Sequence, residues 1–541
     1  MVGVAGKSKG CNTCRKRKIA CDQQKPVCTQ CTRSKRVCAG YERDRVFVLV
    51  EPASEKTHTF IRPGSSPSSL ISSSPEDGSQ SRDMSVFSRS SPSSSSPSVM
   101  LDVQKPTSPL LETSAAFAVI HSRTTSHNLI QAFLSKCFPS GWASQINRSW
   151  LPLLSELPTT MRSDPLELSS IALSASVMGH ESQDFSLISL GLKCYTQGLN
   201  QLRKALRHPI LMKEDSTLAA CMALNLYETI ECPSKGSDGY FSHCHGLLAL
   251  IQARGVERHS SGAGHRLFLG IRVPGILYAL SRSASTILLD PPWMEVPWKE
   301  LPKTHLDRVT DCLVAAPGIL ERVPLLRHLS PHQQAELILE LADECWQVDK
   351  ELDIIDIEIR AANPSPLYTT VSSRINPSAD QDGCINMFPL AFCFSEPAIA
   401  SALTLLWATR SMLWSGLGSL YKHYEMLEQF YSLNPELLNE HTSICEHPGS
   451  MKCLPALEQR EDYLSMAHNV CQSIEYFLQD EMGMIGALSV TPAIGIVIDA
   501  LKNWPNHSEE IQWLHASLGL IGRKGARVLD YYKPQNSAPN K

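Results

Sequence analysis

The stretch "CNTCRKRKIACDQQKPVC", residues 11–28, runs on through "TQCTRSKRVC" to residue 38, so six cysteines and eight cations share 28 positions. The stretch is an internal repeat. Cys11, Cys14 and Cys21 recur seventeen positions later as Cys28, Cys31 and Cys38, each half reading C-x2-C-x6-C, and Lys18 falls on Lys35. Two residues between thiolates is the spacing at which a tight turn or first helical turn aims both sulfurs at one ion. One zinc would use four thiolates and strand two. Two zincs need eight ligand bonds, which six sulfurs supply if two of them bridge, and the repeat suggests one equivalent cysteine from each half. Metal binding also supplies the folding free energy that so short a segment cannot gain from burial. Three disulfides or six free thiols are the competing readings. The opening "MVGVAGKSKG" lacks the apolar core of a secretory leader, so a reducing compartment is expected, where structural disulfides are rare.

Charge separates the two ends. Residues 1–45 hold twelve Lys/Arg against three acids, a balance of +9, while the remainder holds 38 basic and 51 acidic residues, or −13. Six thiolates and two Zn(II) sum to −2 and leave the head near +7. A basic head on an acidic body points to a polyanionic partner for the head alone. The longest apolar runs, 397–409 and 486–498, are about 13 residues each, short of the roughly 18 that a bilayer requires, so no membrane is expected.

The cysteine pattern C-x2-C-x6-C-x6-C-x2-C-x6-C, the basic run Arg15-Lys16-Arg17-Lys18 and Pro26 between the halves resemble the fungal six-cysteine binuclear zinc cluster transcription factors. The resemblance implies two short helices held by two zinc ions. Cys11 and Cys28 would bridge, one ion being held by Cys11, Cys14, Cys21 and Cys28 and the other by Cys11, Cys28, Cys31 and Cys38. It also implies that the lysine three residues before the third cysteine, here Lys18, reads base edges of a CGG-type triplet in double-stranded DNA. Lysine can donate to guanine O6 and N7 in the major groove. Lys16 or Arg17 is the next candidate, and Arg15, Arg33, Lys35 and Arg36 would neutralise phosphates, which fixes register without reading sequence. A solvated face or a nuclear-import signal is the plainer reading of the same cations. Many members of the family continue into a dimerising coiled coil, whereas "AGYERDRVFVLVEPASEKTH", residues 39–58, carries no heptad repeat. Dimerisation remains possible through the body.

Between Ser65 and Ser98, 22 of 34 residues are Ser or Pro, too little apolar surface to offset the entropy of ordering them. Residues 46–124 are therefore predicted to be a disordered linker, with five Ser-Pro steps (Ser66, Ser74, Ser91, Ser96, Ser108) open to proline-directed phosphorylation. From residue 125 to 541 the periodicity is helical and predicts a large all-α domain in one or two lobes. Leu192, Tyr195, Leu199, Leu202 and Leu206 mark one helix face; helices are further expected over 216–231, 240–255, 331–362, 396–432, 456–482, 492–503 and 507–532. "YETIE" (227–231), "HCHGLLALIQARG" (243–255) and "GHRLFLGIRVPGILYAL" (264–280) resemble the helical regulatory domain that accompanies this cluster in one large group of the family, which implies contacts with transcription machinery or co-regulators.

Other patterns have bland explanations. Neighbouring His243, Cys244 and His245 point apart on a helix and are expected to pack rather than bind metal. Cys445, His447 and Cys453 lack a visible fourth ligand. Nine acids over 336–358 suggest a solvated outer face or an acidic activation surface, and the twelve cysteines outside the head are expected to pack as small apolar residues. A P-loop, a GxSxG elbow, an HExxH pair and a strand-associated GxGxxG are absent from the sequence, so a non-enzymatic regulator of DNA leads and a zinc-dependent protein-interaction scaffold is the alternative.

Overall fold

A computed structural model of the chain describes residues 11–17, 19–24, 28–34, 36, 38, 123–139, 142, 145–157, 164–231, 238–375, 386–434 and 454–531. The Ser/Pro-rich linker and the Cys445–Cys453 motif fall outside the described residues. The chain divides into two compact units, Met1–Glu51 and Pro52–Lys541.

The first unit repeats in space as it does in sequence. Helices α1 (Asn12–Lys16) and α2 (Thr29–Arg33) occupy equivalent positions of the two halves. Each helix turns out through the same two backbone bonds. Arg17 N donates to Thr13 O at 3.2 Å and Ile19 N to Cys14 O at 3.1 Å in the first half; Ser34 N to Gln30 O at 3.3 Å and Arg36 N to Cys31 O at 3.0 Å answer in the second.

The second unit is mostly helical: α3 (Arg123–Cys137), α4 (Pro165–Ser182), α5 (Phe185–Ala205), α6 (Asp215–Glu231), α7 (Asp238–Arg254), α8 (Gly262–Arg282), α9 (His305–Leu313), α10 (Pro331–Ala362), α11 (Pro397–Leu433), α12 (Tyr463–Phe477), α13 (Gly483–Leu501) and α14 (Ser508–Arg523), with shorter turns between. Helix starts follow local chemistry. Asp164 and Asp184 cap α4 and α5, and Thr304-Asp307 and Ser330-Gln333 form capping boxes on α9 and α10. The 37-residue α11 is the central element, packed against α9, α10, α12 and α13. Its buried residues surround most of the axis, as a helix enclosed by others requires.

A two-stranded antiparallel hairpin adds to the expected helices: β1 (Tyr368–Ser372) pairs with β2 (Leu390–Phe394), Tyr368 opposite Phe394 and Ser372 opposite Leu390. Tyr368, Phe392 and Phe394 gather on Trp407 of α11, so the hairpin buries one aromatic face. The helices expected over 456–482 and 492–503 break elsewhere. Helix α13 begins at Gly483 and carries Pro492 inside it. Gly483 has φ +59°, and a Cβ there would lie 2.8 Å from the Lys136 carbonyl oxygen, so glycine sets this boundary. Residues 480–501 are long and apolar enough to cross a bilayer, which the 13-residue count understates; most of this helix is buried against α11, α12 and α14. On α5, Leu192 proves exposed while Gly191, Cys194 and Gly198 are buried with Tyr195 and Leu202.

The acids of 336–358 are not simply a solvated face. Asp349 is fully enclosed, accepts from Trp414 Nε1 at 2.7 Å and pairs with Arg460. Asp353 and Asp356 pair with Arg410, and Glu351 and Glu358 with Arg308. These carboxylates tie α10 to α9, α11 and the segment before α12. His243, Cys244 and His245 do point apart: Cys244 is buried against Asn225 Nδ2 at 3.8 Å, burial pushes His243 down to about 4, and His245 leans on the Tyr278 ring. Seven described body cysteines are buried, and burial raises the thiol pKa of each.

Candidate metal centre

The six head cysteines converge. Cys11, Cys14, Cys28 and Cys31 have no exposed surface and form, with the half-buried Cys21 and Cys38, the core of the first unit among its described residues. Their sulfurs fall into two sets able to hold an ion, Cys11-Cys14-Cys21-Cys28 and Cys11-Cys28-Cys31-Cys38, with all members of a set within 4.8 Å of one another. Cys11 and Cys28 belong to both.

The spacing fits zinc. Four sulfurs at about 2.3 Å from a tetrahedral ion lie about 3.8 Å apart along each edge. Cys11 and Cys28 Sγ are 3.6 Å apart, Cys14 and Cys28 Sγ 3.6 Å, and Cys11 and Cys31 Sγ 3.8 Å. These separations are far beyond the roughly 2.05 Å of a disulfide, so the disulfide alternative fails for these pairs. Cys14 and Cys31, which share no set, still approach to 4.0 Å.

Backbone donors mark the two shared sulfurs. Cys28 is the N-cap of α2, and its Sγ accepts from Cys31 N at 3.4 Å; Cys11 stands at the same place before α1 and accepts from Cys14 N at 3.3 Å. N–H groups directed at sulfur favour the thiolate, the form that binds metal. Without a cation, burial does the opposite: it raises the pKa of Cys11 and Cys28 and pushes Cys14 up to about 12. A site of this kind holds its protons until a metal displaces them.

Around the thiols lie the cations. Lys16, Arg17, Arg33 and Arg36 are exposed, while Lys18, Lys35 and the Arg15 side chain lie outside the described residues. Arg17 is not wholly free, since its Nη1 donates to Ser34 Oγ at 3.2 Å and so ties repeat-equivalent positions together. Asp22 bridges the halves as well: its carboxylate accepts from Thr29 N at 3.1 Å and from the Thr29 hydroxyl, and the latter bond chiefly lowers its pKa. Reading the cysteines alone missed Asp22 and Ser34, although the seventeen-residue register, which sets 17 against 34, was the signal for the second.

Comparison with known proteins agrees with this geometry. The fungal Zn(2)-Cys(6) binuclear cluster domain matches residues 9–45. An uncharacterized transcriptional regulatory protein of Schizosaccharomyces pombe is 62% identical over 32 residues, 6% of either chain. White-opaque regulator 2 of Candida albicans is 61% identical over 33 residues, 6% of this chain and 7% of the relative. Transcriptional regulatory protein moc3 of Schizosaccharomyces pombe is 38% identical over 73 residues, 13% of this chain and 14% of its own. The chain thus spans far less than two thirds of these relatives' length, and no solved structure matches it significantly. Residues 9–45 match the fungal Zn(2)-Cys(6) binuclear cluster domain, a fold that binds two zinc ions, and the six converging cysteines fit it.

Proposed function

We infer that the protein is a nuclear, sequence-specific DNA-binding regulator of transcription, reading CGG-type triplets with its zinc-held head and acting on transcription machinery or co-regulators through its helical body. The observation that carries the reading is the cluster itself. Two four-thiol sets interlock through Cys11 and Cys28, and cations flank them on both short helices. Three relatives that share this segment bear the names of regulators, two of them transcriptional.

In this reading one zinc is held by Cys11, Cys14, Cys21 and Cys28 and the other by Cys11, Cys28, Cys31 and Cys38. The metals supply rigidity and no reaction step. The protein's own residues do the recognition: Lys18 donates to base edges, with Lys16 beside it, and Arg15, Arg33, Lys35 and Arg36 meet phosphates. Arg17 has a second duty in bonding Ser34, which makes it a poorer base reader than Lys16. The body carries DNA-independent work as an effector rather than an enzyme.

Binding of the full chain to duplexes with CGG or scrambled triplets, at rising salt, tests the assignment. Lys18→Ala is expected to cost about 1–3 kcal/mol on the CGG duplex and little on the scrambled one. Arg33→Ala should weaken both alike and reduce the salt slope by about one contact. Equal losses on both duplexes for Lys18→Ala would remove it from base reading, and no DNA affinity at all would favour a protein-interaction scaffold.

A further inference from the structure

Three pairs of repeat-equivalent residues meet in the head. Cys11 and Cys28 Sγ lie 3.6 Å apart, Cys14 and Cys31 Sγ 4.0 Å, and Arg17 Nη1 donates to Ser34 Oγ at 3.2 Å. Residues 11, 14 and 17 stand three apart, as do 28, 31 and 34, so each set forms one row along a short helix and its exit. Elements related by a two-fold rotation bring equivalent residues together only beside the axis. The axis of the repeat therefore passes between two sulfur pairs and then, at the end of the row, between Arg17 and Ser34. The sulfur pairs are identical residues; the third pair is not.

Identity at the third pair would set two guanidinium groups against each other on the axis, where like charges repel. Serine removes that conflict and supplies an acceptor. Its hydroxyl is itself fixed at the C-cap of α2, donating to Gln30 O at 2.7 Å with Cys31 O at 3.2 Å, which leaves an oxygen lone pair for Arg17. Neighbouring positions keep their charge through the repeat: Lys16 matches Arg33, and Lys18 matches Lys35. Lys16, Arg17, Arg33 and Arg36 are all exposed, and of these four Arg17 alone has a side-chain hydrogen-bond partner. A bond across the axis, not burial, occupies its guanidinium.

We propose that Ser34 is a positioning residue: it holds Arg17 across the axis and withholds its guanidinium from phosphates, so that the head meets a polyanion of any sequence with one cation fewer than its charge provides. Sequence-independent binding scales with the number of cations that displace counterions, and an arginine engaged inside the head is not among them. The guanidinium fork is also a bidentate fit to guanine O6 and N7, so keeping it on Ser34 leaves the triplet to Lys18. The inference rests on the DNA reading for its setting, while the hold on Arg17 bears on any polyanion.

The test measures binding of the zinc-loaded full chain to CGG and scrambled duplexes, and to heparin, at rising salt. Ser34→Ala removes the acceptor. With two zincs still bound, it is expected to tighten the scrambled duplex severalfold at low salt and to steepen the salt slope by about one contact. Ser34→Thr keeps the hydroxyl and should restore the parent slope. In an Arg17→Ala background, Ser34→Ala should add nothing, because the pair is already broken. An unaltered slope in a two-zinc Ser34→Ala protein, or the same gain without Arg17, overturns the proposal. Should Ser34→Ala fail to hold two zincs, Arg17→Ala decides: it should flatten the slope less than Arg33→Ala does, and equal flattening overturns the proposal. Parent protein that binds both duplexes alike would sink the sequence-specific reading while the slope test still decides on Ser34. With no DNA affinity at all, elution from heparin decides instead: Ser34→Ala should need more salt than the parent, and equal elution overturns the proposal.

Discussion

His259 has no exposed surface. Its Nδ1–H donates to the Gly264 carbonyl at 3.0 Å, and the ring packs beside the stacked pair Phe268 and Trp293. Burial pushes its pKa down to about 4, against a weaker upward pull from the Gly264 hydrogen bond. His265, bonded to the His259 carbonyl at 3.2 Å, is lowered by burial too. The unfolded chain takes up a proton at each ring near pH 6.5, whereas folded His259 resists until about 4. Between those values the unfolded state binds more protons, so stability is full above pH 6.5 and declines as the pH falls. The slope is about 1.4 kcal/mol per pH unit for each group. His259→Asn keeps a donor and cannot titrate, so the fall in urea-unfolding free energy of the body between pH 7 and pH 5 should shrink by about 1–2 kcal/mol. An unchanged fall in that variant would mean His259 is not held neutral.

At the scale of elements, the interhelical carboxylates decide how α10 docks. Asp349 is enclosed and satisfies both Trp414 and Arg460, while Glu340 on the same helix is exposed. Asp349→Ala leaves the Trp414 indole N–H without its acceptor and the half-buried Arg460 guanidinium with Asp353 alone, at 3.1 Å. Breaking a buried pair from one side costs about 3–5 kcal/mol, whereas Glu340→Ala should stay within about 0.5 kcal/mol. Urea unfolding followed by circular dichroism separates the two, and equal midpoints would show that the α10 acids are solvated after all. The helix itself was legible: Leu341, Cys345, Val348, Leu352, Ile355 and Ile359 stand at helical spacing as one stripe, and all are buried except the half-buried Val348. On the α5 stripe Tyr195, Leu199, Leu202 and Leu206 do face the core, and Leu192 alone is exposed, because the close face there is marked by small residues. A Cβ on Gly191 would stand 3.0 Å from the Ala172 carbonyl oxygen of α4, so contact is made where side chains are absent, and the bulkier Leu192 turns outward. The hairpin was illegible for another reason. "LAFCF" reads as an apolar run of either kind, and its strand partner, β1, is set by distant pairing rather than by local pattern. Metal-site sulfurs suffer neither ambiguity, since ligand spacing is a local covalent constraint, which is why the cysteines were readable while Asp22 was not.

At the scale of the whole molecule, the chain has two cores of different chemistry. Among the described residues the head's core consists of cysteines alone, and the body's is a continuous apolar cluster running from Ile130 to Leu529. Only the first depends on metal. Removing zinc leaves buried thiols whose pKa values burial has raised and, among the described residues, no other buried apolar side chain to hold α1 against α2, so the head should unfold. The body should keep its helices, because its described cysteines pack as apolar groups and its stability draws on burial between helices. A strong chelator added to the full chain is therefore expected to abolish DNA binding, leave the urea midpoint of the body unchanged, and raise the number of thiols reacting quickly with a disulfide reagent by six. An increase well beyond six would show the body opening with the head. No increase, with the head still folded, would show that the cysteine core stands without metal and would remove the basis of the zinc-held interface.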